Sequence, residues 1–444
     1  MCIRDRLNVD GRVALYAKGR VSGKWLMTLA YDSDKKSDDA RFAGTIDPRR
    51  YYTVYADRSE QRYDASSIRK LYLKLERPQF YALFGDYQTG IDEPELARYQ
   101  RSFNGIKAEY RNDSVHAQAF AADTPYRFRR EEIQGTGLSG PYALGARDII
   151  ANSERISIET RDRLRSDRII ERRSLIRNID YDIDYLAGTL RFREPILSRS
   201  SALDPQFIVA EYEVDGIGER VNNAGGRVKW QSPDQKLQIA ATAIHDETDT
   251  SKTNLVGADI RYRPTVGTEL RAEFAGSNGQ ARGTGTTDAG GAYAALVEAE
   301  HHGAKIDALA YYRRQSSGFG VGQISAGQAS TQKFGIDTRY RLTDKLSFSA
   351  LGYQEEQLET GARRRAGSGE IEYRDEKTSL RAGITHADDL LADGTNNVST
   401  LVRLGGSRKF FNSKLELDAQ TEFALGGQDE SIDFPARHRL GARY

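Results

Sequence analysis

The chain has 444 residues, enough for one large barrel or two ordinary domains. Its 65 basic and 64 acidic residues nearly cancel, which removes any electrostatic argument for nucleic acid or an anionic membrane surface. Apolar residues make up only 38%, yet 24 Tyr and 16 Phe exclude a disordered chain. A single β-layer, wet on one face and greasy on the other, reconciles the two, because only half of each strand has to be apolar.

No apolar run approaches the roughly 18 residues of a membrane-spanning helix. Cys2 is the only cysteine, so no intrachain disulfide can form. Residues 1–7, Met1-Cys-Ile-Arg-Asp-Arg-Leu7, carry charge where the apolar core of a signal peptide would lie. They look like a non-native or truncated leader, and the native start, with any export signal, is expected upstream. Cys2 without an apolar leader is a poor lipidation site.

Along residues 8–122, strands are expected at once. Val13, Leu15 and Ala17 alternate with Arg12, Ala14, Tyr16 and Lys18; a turn at Gly19–Gly23 leads to Lys24–Tyr31, completing a hairpin. A long polar stretch, Asp32 to Ser67, precedes Arg69–Glu76, and Arg77-Pro78 turns into Phe80–Gly85. Another long connection, about Asp86 to Arg101, precedes Phe103–Tyr110, a tight turn at Arg111–Ser114, and Val115–Ala122.

Residues 123–218 break this rhythm. They hold Pro125, Pro141, Pro195 and Pro205 and short β runs at Arg155–Glu159, Asp182–Tyr185 and Thr189–Phe192, with a hairpin turn at Leu186-Ala-Gly188. Phe207–Val214 is a closing strand. This segment is expected to be a small β-module inserted between two barrel strands, on the long-loop side or folded into the barrel mouth.

Residues 219–444 resume the barrel grammar. Tight turns at 232–235, 263–267, 302–303, 343–344, 375–377 and 411–413 alternate with long loops at 247–253, 277–290, 314–330, 356–367, 387–396 and 426–434. Strict alternation of short and long connections is what periplasmic turns and extracellular loops produce. Successive strand residues face opposite sides. Val256, Ala258, Ile260 and Tyr262 therefore oppose Asp259, Arg261 and Arg263, and Leu270, Ala272 and Phe274 oppose Glu269, Arg271 and Glu273. Phe334, Ile336, Thr338, Tyr340 and Leu342 oppose Asp337, Arg339 and Arg341. In Lys414–Leu425, Leu415, Leu417, Ala419, Thr421, Phe423 and Leu425 oppose Lys414, Glu416, Asp418, Gln420 and Glu422. About nineteen such runs, each long enough to cross a hydrocarbon layer, define an all-β chain: a transmembrane antiparallel β-barrel of about 20 strands.

Counting connections back from a C-terminus on the periplasmic side places Gly19–Gly23 on that side too. The Arg12–Lys18 strand then starts outside, so at least one further strand is expected upstream. A barrel of this size has a lumen wide enough for water or a plug.

Ser139-Gly-Pro-Tyr142, Ser153–Glu159 and Asp180–Tyr185 with Gly188–Phe192 resemble a β-module of large bacterial outer-membrane and cell-surface proteins. The barrel part resembles outer-membrane β-barrel proteins, including TonB-dependent receptors and OmpA-family-associated surface proteins. The ending Arg439-Leu-Gly-Ala-Arg-Tyr444 looks like their assembly signal, with Leu440 and Tyr444 as its anchors. The resemblance implies location in the bacterial cell outer membrane, contact with its lipid, and insertion by a barrel-assembly machinery. It names no substrate, and no plug domain or TonB-binding box is visible.

Several motifs have bland readings. Gly135-Thr-Gly-Leu-Ser-Gly140 matches a dinucleotide fingerprint, but Pro141 follows and the surroundings are β, so it reads as a loop. His245-Asp246, and Asp388-Asp389 with His386, fall at strand ends, where polar rim residues are expected without any catalytic role. Adjacent His301 and His302 face opposite ways and cannot share a metal. Asp388, Asp389 and Asp393-Gly394 lack a full calcium ligand set. No enzyme activity, cofactor or metal is expected. The lumen-facing charges Asp259, Arg261, Glu269, Arg271, Glu273, Asp337, Arg339, Arg341, Lys414, Glu416, Asp418 and Glu422 interleave both signs, which favours cross-strand pairing over a strongly selective pore. Two functions follow: a pore or a solute- or secretion-related transporter component, and alternatively a structural or surface-display barrel whose module binds an extracellular or periplasmic protein partner.

Overall fold

The computed structural model describes residues 13–33, 70–151, 153–162, 169–200, 204–215, 220–247, 252–278, 291–323, 329–411, 414–425 and 436–444. The expected leader and the polar connections at 34–69, 279–290 and 426–435 lie outside the described residues. The architecture is all-β, and no helix occurs among the described residues.

Six strands open the wall: β1 (Ala14–Val21), β2 (Trp25–Asp32), β3 (Leu71–Arg77), β4 (Phe80–Gln88), β5 (Ser102–Arg111) and β6 (Val115–Thr124). Seven shorter elements follow: β7 (Tyr126–Gln134), β8 (Tyr142–Ala143), β9 (Arg155–Arg161), β10 (Ile169–Ser174), β11 (Tyr181–Asp184), β12 (Thr189–Phe192) and β13 (Gln206–Asp215). The wall resumes with β14 (Val221–Gln231), β15 (Leu237–Glu247), β16 (Lys252–Thr265), β17 (Thr268–Asn278), β18 (Ala292–His302), β19 (Ile306–Gln315), β20 (Thr331–Arg341) and β21 (Leu346–Gln357). It closes with β22 (Arg363–Arg374), β23 (Thr378–Leu390), β24 (Asn396–Phe410), β25 (Leu415–Ala424) and β26 (Arg437–Arg443).

The wall is one 19-stranded antiparallel sheet. Each strand pairs with its sequence neighbour, and β6 pairs directly with β14 across the intervening module. The period-2 pattern sets the faces. On β16, Val256, Ile260 and Tyr262 point outward and exposed, while Thr253, Leu255 and Gly257 are buried on the other side. The same outward row continues through Phe274, Val297, Phe334, Ile336, Ile371, Ile384, Leu404 and Phe423. An exposed apolar surface that continues from strand to strand is far larger than a water-soluble monomer tolerates, and it is the surface a lipid-facing wall requires.

Two expected long loops are short. β21 and β22 run to Gln357 and from Arg363, leaving five residues in place of the expected 356–367 loop. β23 and β24 run to Leu390 and from Asn396, again leaving five residues in place of 387–396. At the expected 247–253 loop, Glu247 and Lys252 are themselves cross-strand partners. Strict alternation of connection length therefore fails at three places. The reason is electrostatic: Arg363 and Arg364 face Glu356 and Glu355 in register, and Arg364 grips Asp389 at 2.7 Å, so charged ladders extend these strands beyond the apolar belt.

The module folds on its own core. A four-stranded sheet ordered β10-β9-β13-β7 packs over a three-stranded sheet ordered β11-β12-β8. Ile156, Ile158, Ile208, Ala210, Tyr212 and Val214 meet Tyr142, Tyr181, Leu190 and Phe192 between them. Strands β7 and β10 were not expected from the sequence. The Gly135–Gly140 motif lies in the β7–β8 connection, as its loop reading expected.

Candidate functional site: a charged inner face with an inner segment and the module

The connection 89–101, between β4 and β5, does not run over the surface. It turns into the space behind the wall, and Ile91, Ala97 and Tyr99 join Phe103, Phe120, Leu255 and Ala275 in a buried cluster. Tyr99 stacks on Phe120 at 5.6 Å. Approach is close: a Cβ on Gly257 of β16 would meet Ala97 Cβ at 2.9 Å, so the wall is thinned where the segment passes.

Acidic side chains of this segment engage basic residues of the wall. Glu95 accepts from Arg313 at 2.5 Å and Arg271 at 3.3 Å, and Glu93 lies 3.4 Å from Arg227 and also meets Lys229. The N-H groups of Glu95 and Leu96 donate to Glu273 at 2.9 and 2.8 Å. The segment thus spans from β14 to β19, which requires the sheet to curl around it.

Arg101 anchors the far end of the segment. Its side chain is 1% exposed and donates to Glu213 of β13 at 2.8 Å and to Asp246 of β15 at 2.7 Å. Asp246 also accepts from the Tyr99 hydroxyl at 2.6 Å. Two carboxylates on one buried guanidinium satisfy its fork, and a phenol takes up the remaining lone pair. This cluster ties module, inner segment and wall together. It also separates His245 from Asp246: Asp246 is buried in the cluster, while His245 faces outward to Asn254 at 2.7 Å.

The other candidate residues are placed as follows. Asp259 takes Arg227 at 2.5 Å, Arg261 meets Glu269 at 3.0 Å, and Arg271 meets Glu273 at 2.6 Å and Glu298 at 3.4 Å. Arg339 pairs with Glu372 at 2.5 Å, Arg341 with Asp307 at 2.8 Å, and Glu422 with Arg403 at 2.8 Å. Asp418 lies 3.7 Å from Arg439, Glu416 stands opposite Arg443 in register, and Asp337 stands opposite Leu309 and Leu351. Lys414 sits exposed in the turn before β25. Leu440 and Tyr444 are 87% and 97% exposed on and beyond the edge strand β26. His386 bonds Thr400 at 2.9 Å while Asp389 is held by Arg364, so they form no pair. Among the described residues no group of three or more His, Cys, Asp or Glu is placed to hold a metal.

Sequence reading missed Glu93, Glu95, Tyr99 and Arg101. The only local signal is a dense run of charge around two aromatic or aliphatic residues, which a solvated loop also shows.

The module turns a charged face toward this segment. Arg172 and Arg161 share Glu159, Arg161 and Arg130 share Glu132, and Arg130 and Arg98 share Glu211. Burial pushes the Glu159 carboxyl up, but Arg161 and Arg172 prevail and hold it below the usual carboxylate range. Burial dominates at Glu154, which is raised despite Arg177.

No family model matches the sequence, and no curated protein matches it. Among solved structures, similarity is found to a BenF-like porin from Pseudomonas fluorescens Pf-5, with 10% identity, TM-score 0.33, and coverage of 93% of this chain and 91% of the porin. The P pilus usher (PapC) translocation pore gives 10% identity, TM-score 0.37, and coverage of 97% and 87%. OccK5 (OpdH) of Pseudomonas aeruginosa gives 10% identity, TM-score 0.33, and coverage of 94% and 92%. None of these three is a TonB-dependent receptor or an OmpA-associated protein. The fold assignment stands on the ladders and faces of the wall itself.

Proposed function

We propose that the chain is an outer-membrane β-barrel of a Gram-negative bacterium that forms a pore, or a solute- or secretion-related transporter component. The observation that carries this reading is the wall: an outward apolar surface continuous across its strands, backed by an inner face of paired charges. Such a wall needs lipid outside and water or a polar filling inside. The inner segment 89–101 supplies a polar filling and would narrow the conduit. Reconstitution in planar bilayers tests this: discrete single-channel steps support a pore, and a correctly inserted but silent barrel sinks it.

A second reading, a surface-display barrel whose module binds a protein partner, is favoured by the docking of the module on the inner segment and the wall through Arg101. Insertion by the barrel-assembly machinery, with Leu440 and Tyr444 as its signal, belongs to both readings and is tested below.

A further inference from the structure

Between the charged face of the module and the inner segment lies a cavity of about 900 Å³. Its lining includes Arg98, Arg130, Arg155, Arg161 and Arg172, with Ile156, Val209 and Pro94 as an apolar floor. The volume falls in the range of small-molecule sites, roughly 300–1,000 Å³.

The carboxylates on this face do not balance its arginines. Glu132, Glu159 and Glu211 are already shared by Arg130, Arg161, Arg172 and Arg98. Arg155 has no carboxylate within ion-pair distance among the described residues. Its guanidinium meets only the amide oxygens of Gln100 and Gln88. Arg98 meets Glu211 loosely, its Nη2 lying 3.4 Å from each carboxylate oxygen. In the sheet register Arg155 stands directly opposite Glu211. Three guanidiniums, from β7, β9 and the inner segment, thus gather around one carboxylate. Five arginines of this face meet three glutamates, and the charge of Asp92 acting on Arg155 leaves an excess of one positive charge.

Of the remaining acids of the lining, Glu93 and Glu95 are taken by the wall and Glu154 turns to Tyr185 at 3.0 Å, while Asp92 makes no ion pair with Arg155 or Arg98 and acts on Arg155 only at longer range. Burial pulls the Arg155 guanidinium below its ordinary value, and the charges of Glu211 and Asp92 offset this only in part.

We propose that this cavity binds a small phosphate-bearing dianion, with Arg155 and Arg98 as its direct partners and Arg130 behind them. Guanidiniums converging from three elements suit a tetrahedral oxyanion, whose oxygens accept from several directions, better than a planar carboxylate served by one fork. The site faces the lumen, not the outer apolar surface, so its ligand is a water-soluble phosphate and not a bilayer lipid. The inference rests on the pore reading only for access.

The test uses the full chain refolded in detergent, titrated calorimetrically with inorganic phosphate at constant ionic strength, with succinate and phosphatidic acid micelles as further arms. Saturable phosphate binding is expected. Arg155→Gln and Arg98→Gln should each weaken it by about tenfold or more, and Arg173→Gln, on the exposed edge strand β10, should leave it unchanged. Absence of saturable phosphate binding in protein with normal heat-modifiable mobility would overturn the proposal. So would wild-type binding by Arg155→Gln, succinate binding as tight as phosphate, or preferential binding of the phosphatidic acid. If Arg155→Gln fails to refold, Arg98→Gln decides, since only the loose pairing with Glu211 is lost there. Binding without conductance removes the pore reading alone, and conductance without binding removes this site alone.

Discussion

At the residue scale, Arg101 and Glu159 show how burial converts charge into structure. Replacing Arg101 by Met leaves Glu213 and Asp246 buried without their cation. Breaking a buried pair in this way costs about 3–5 kcal/mol, far more than an exposed pair is worth. Urea unfolding of the protein in lipid vesicles should show that loss, and a loss below about 1 kcal/mol would mean the cluster is solvated. Glu159 gives a pH prediction. Its carboxyl is held below the usual range by Arg161 and Arg172 against its own burial, so it contributes stability that is present above the unfolded carboxylate value, roughly 4.3, and lost as pH falls through its lower folded value. Amide exchange protection of β9 and β13 should therefore drop in acid, and the step should vanish in Glu159→Gln. Glu154 runs the other way. Burial raises it, so its contribution is present below the unfolded value and lost as pH rises through its folded one.

At the element scale, the strands are the most legible part of the chain, because a one-residue slip would turn every apolar side chain of a strand toward the polar interior. Phe274 on β17 is 59% exposed on the outer face. Phe274→Arg should cost about 2–4 kcal/mol in a bilayer if it sits near the midplane, measured by equilibrium unfolding from vesicles. No penalty would place that face in water. The same clarity did not extend to strand ends. Charged pairs such as Arg364 with Asp389 look like loop polarity when read one residue at a time, yet they lengthen β22 and β23. Strands β7 and β10 escaped notice because Tyr126–Gln134 and Ile169–Ser174 carry charge on both sides of the alternation. The last element carries its own prediction: deleting Tyr444 or changing Leu440 to Asp should block membrane assembly while synthesis continues, as read by heat-modifiable mobility. Normal insertion of both variants would remove the signal.

At the scale of the whole molecule, 19 strands form a curled wall, the 89–101 connection packs on its inner face, and the module is tied to both through Arg101. Replacing residues 91–99 with a short Gly-Ser linker removes Glu93 and Glu95 and should raise single-channel conductance several-fold, because a narrowed polar path limits ion flow. Unchanged conductance would show that ions pass elsewhere. The sequence by itself determined the all-β class and the strand-by-strand alternation of the wall, since both follow from local periodicity and turn chemistry, which act within a few residues. Only the tertiary structure decided where the 89–101 segment and the charged face of the module lie. A polar loop satisfies its backbone equally well in solvent or against a charged wall. The choice depends on partners such as Arg313 and Asp246, more than a hundred residues away, whose complementarity appears only once the sheet has curled.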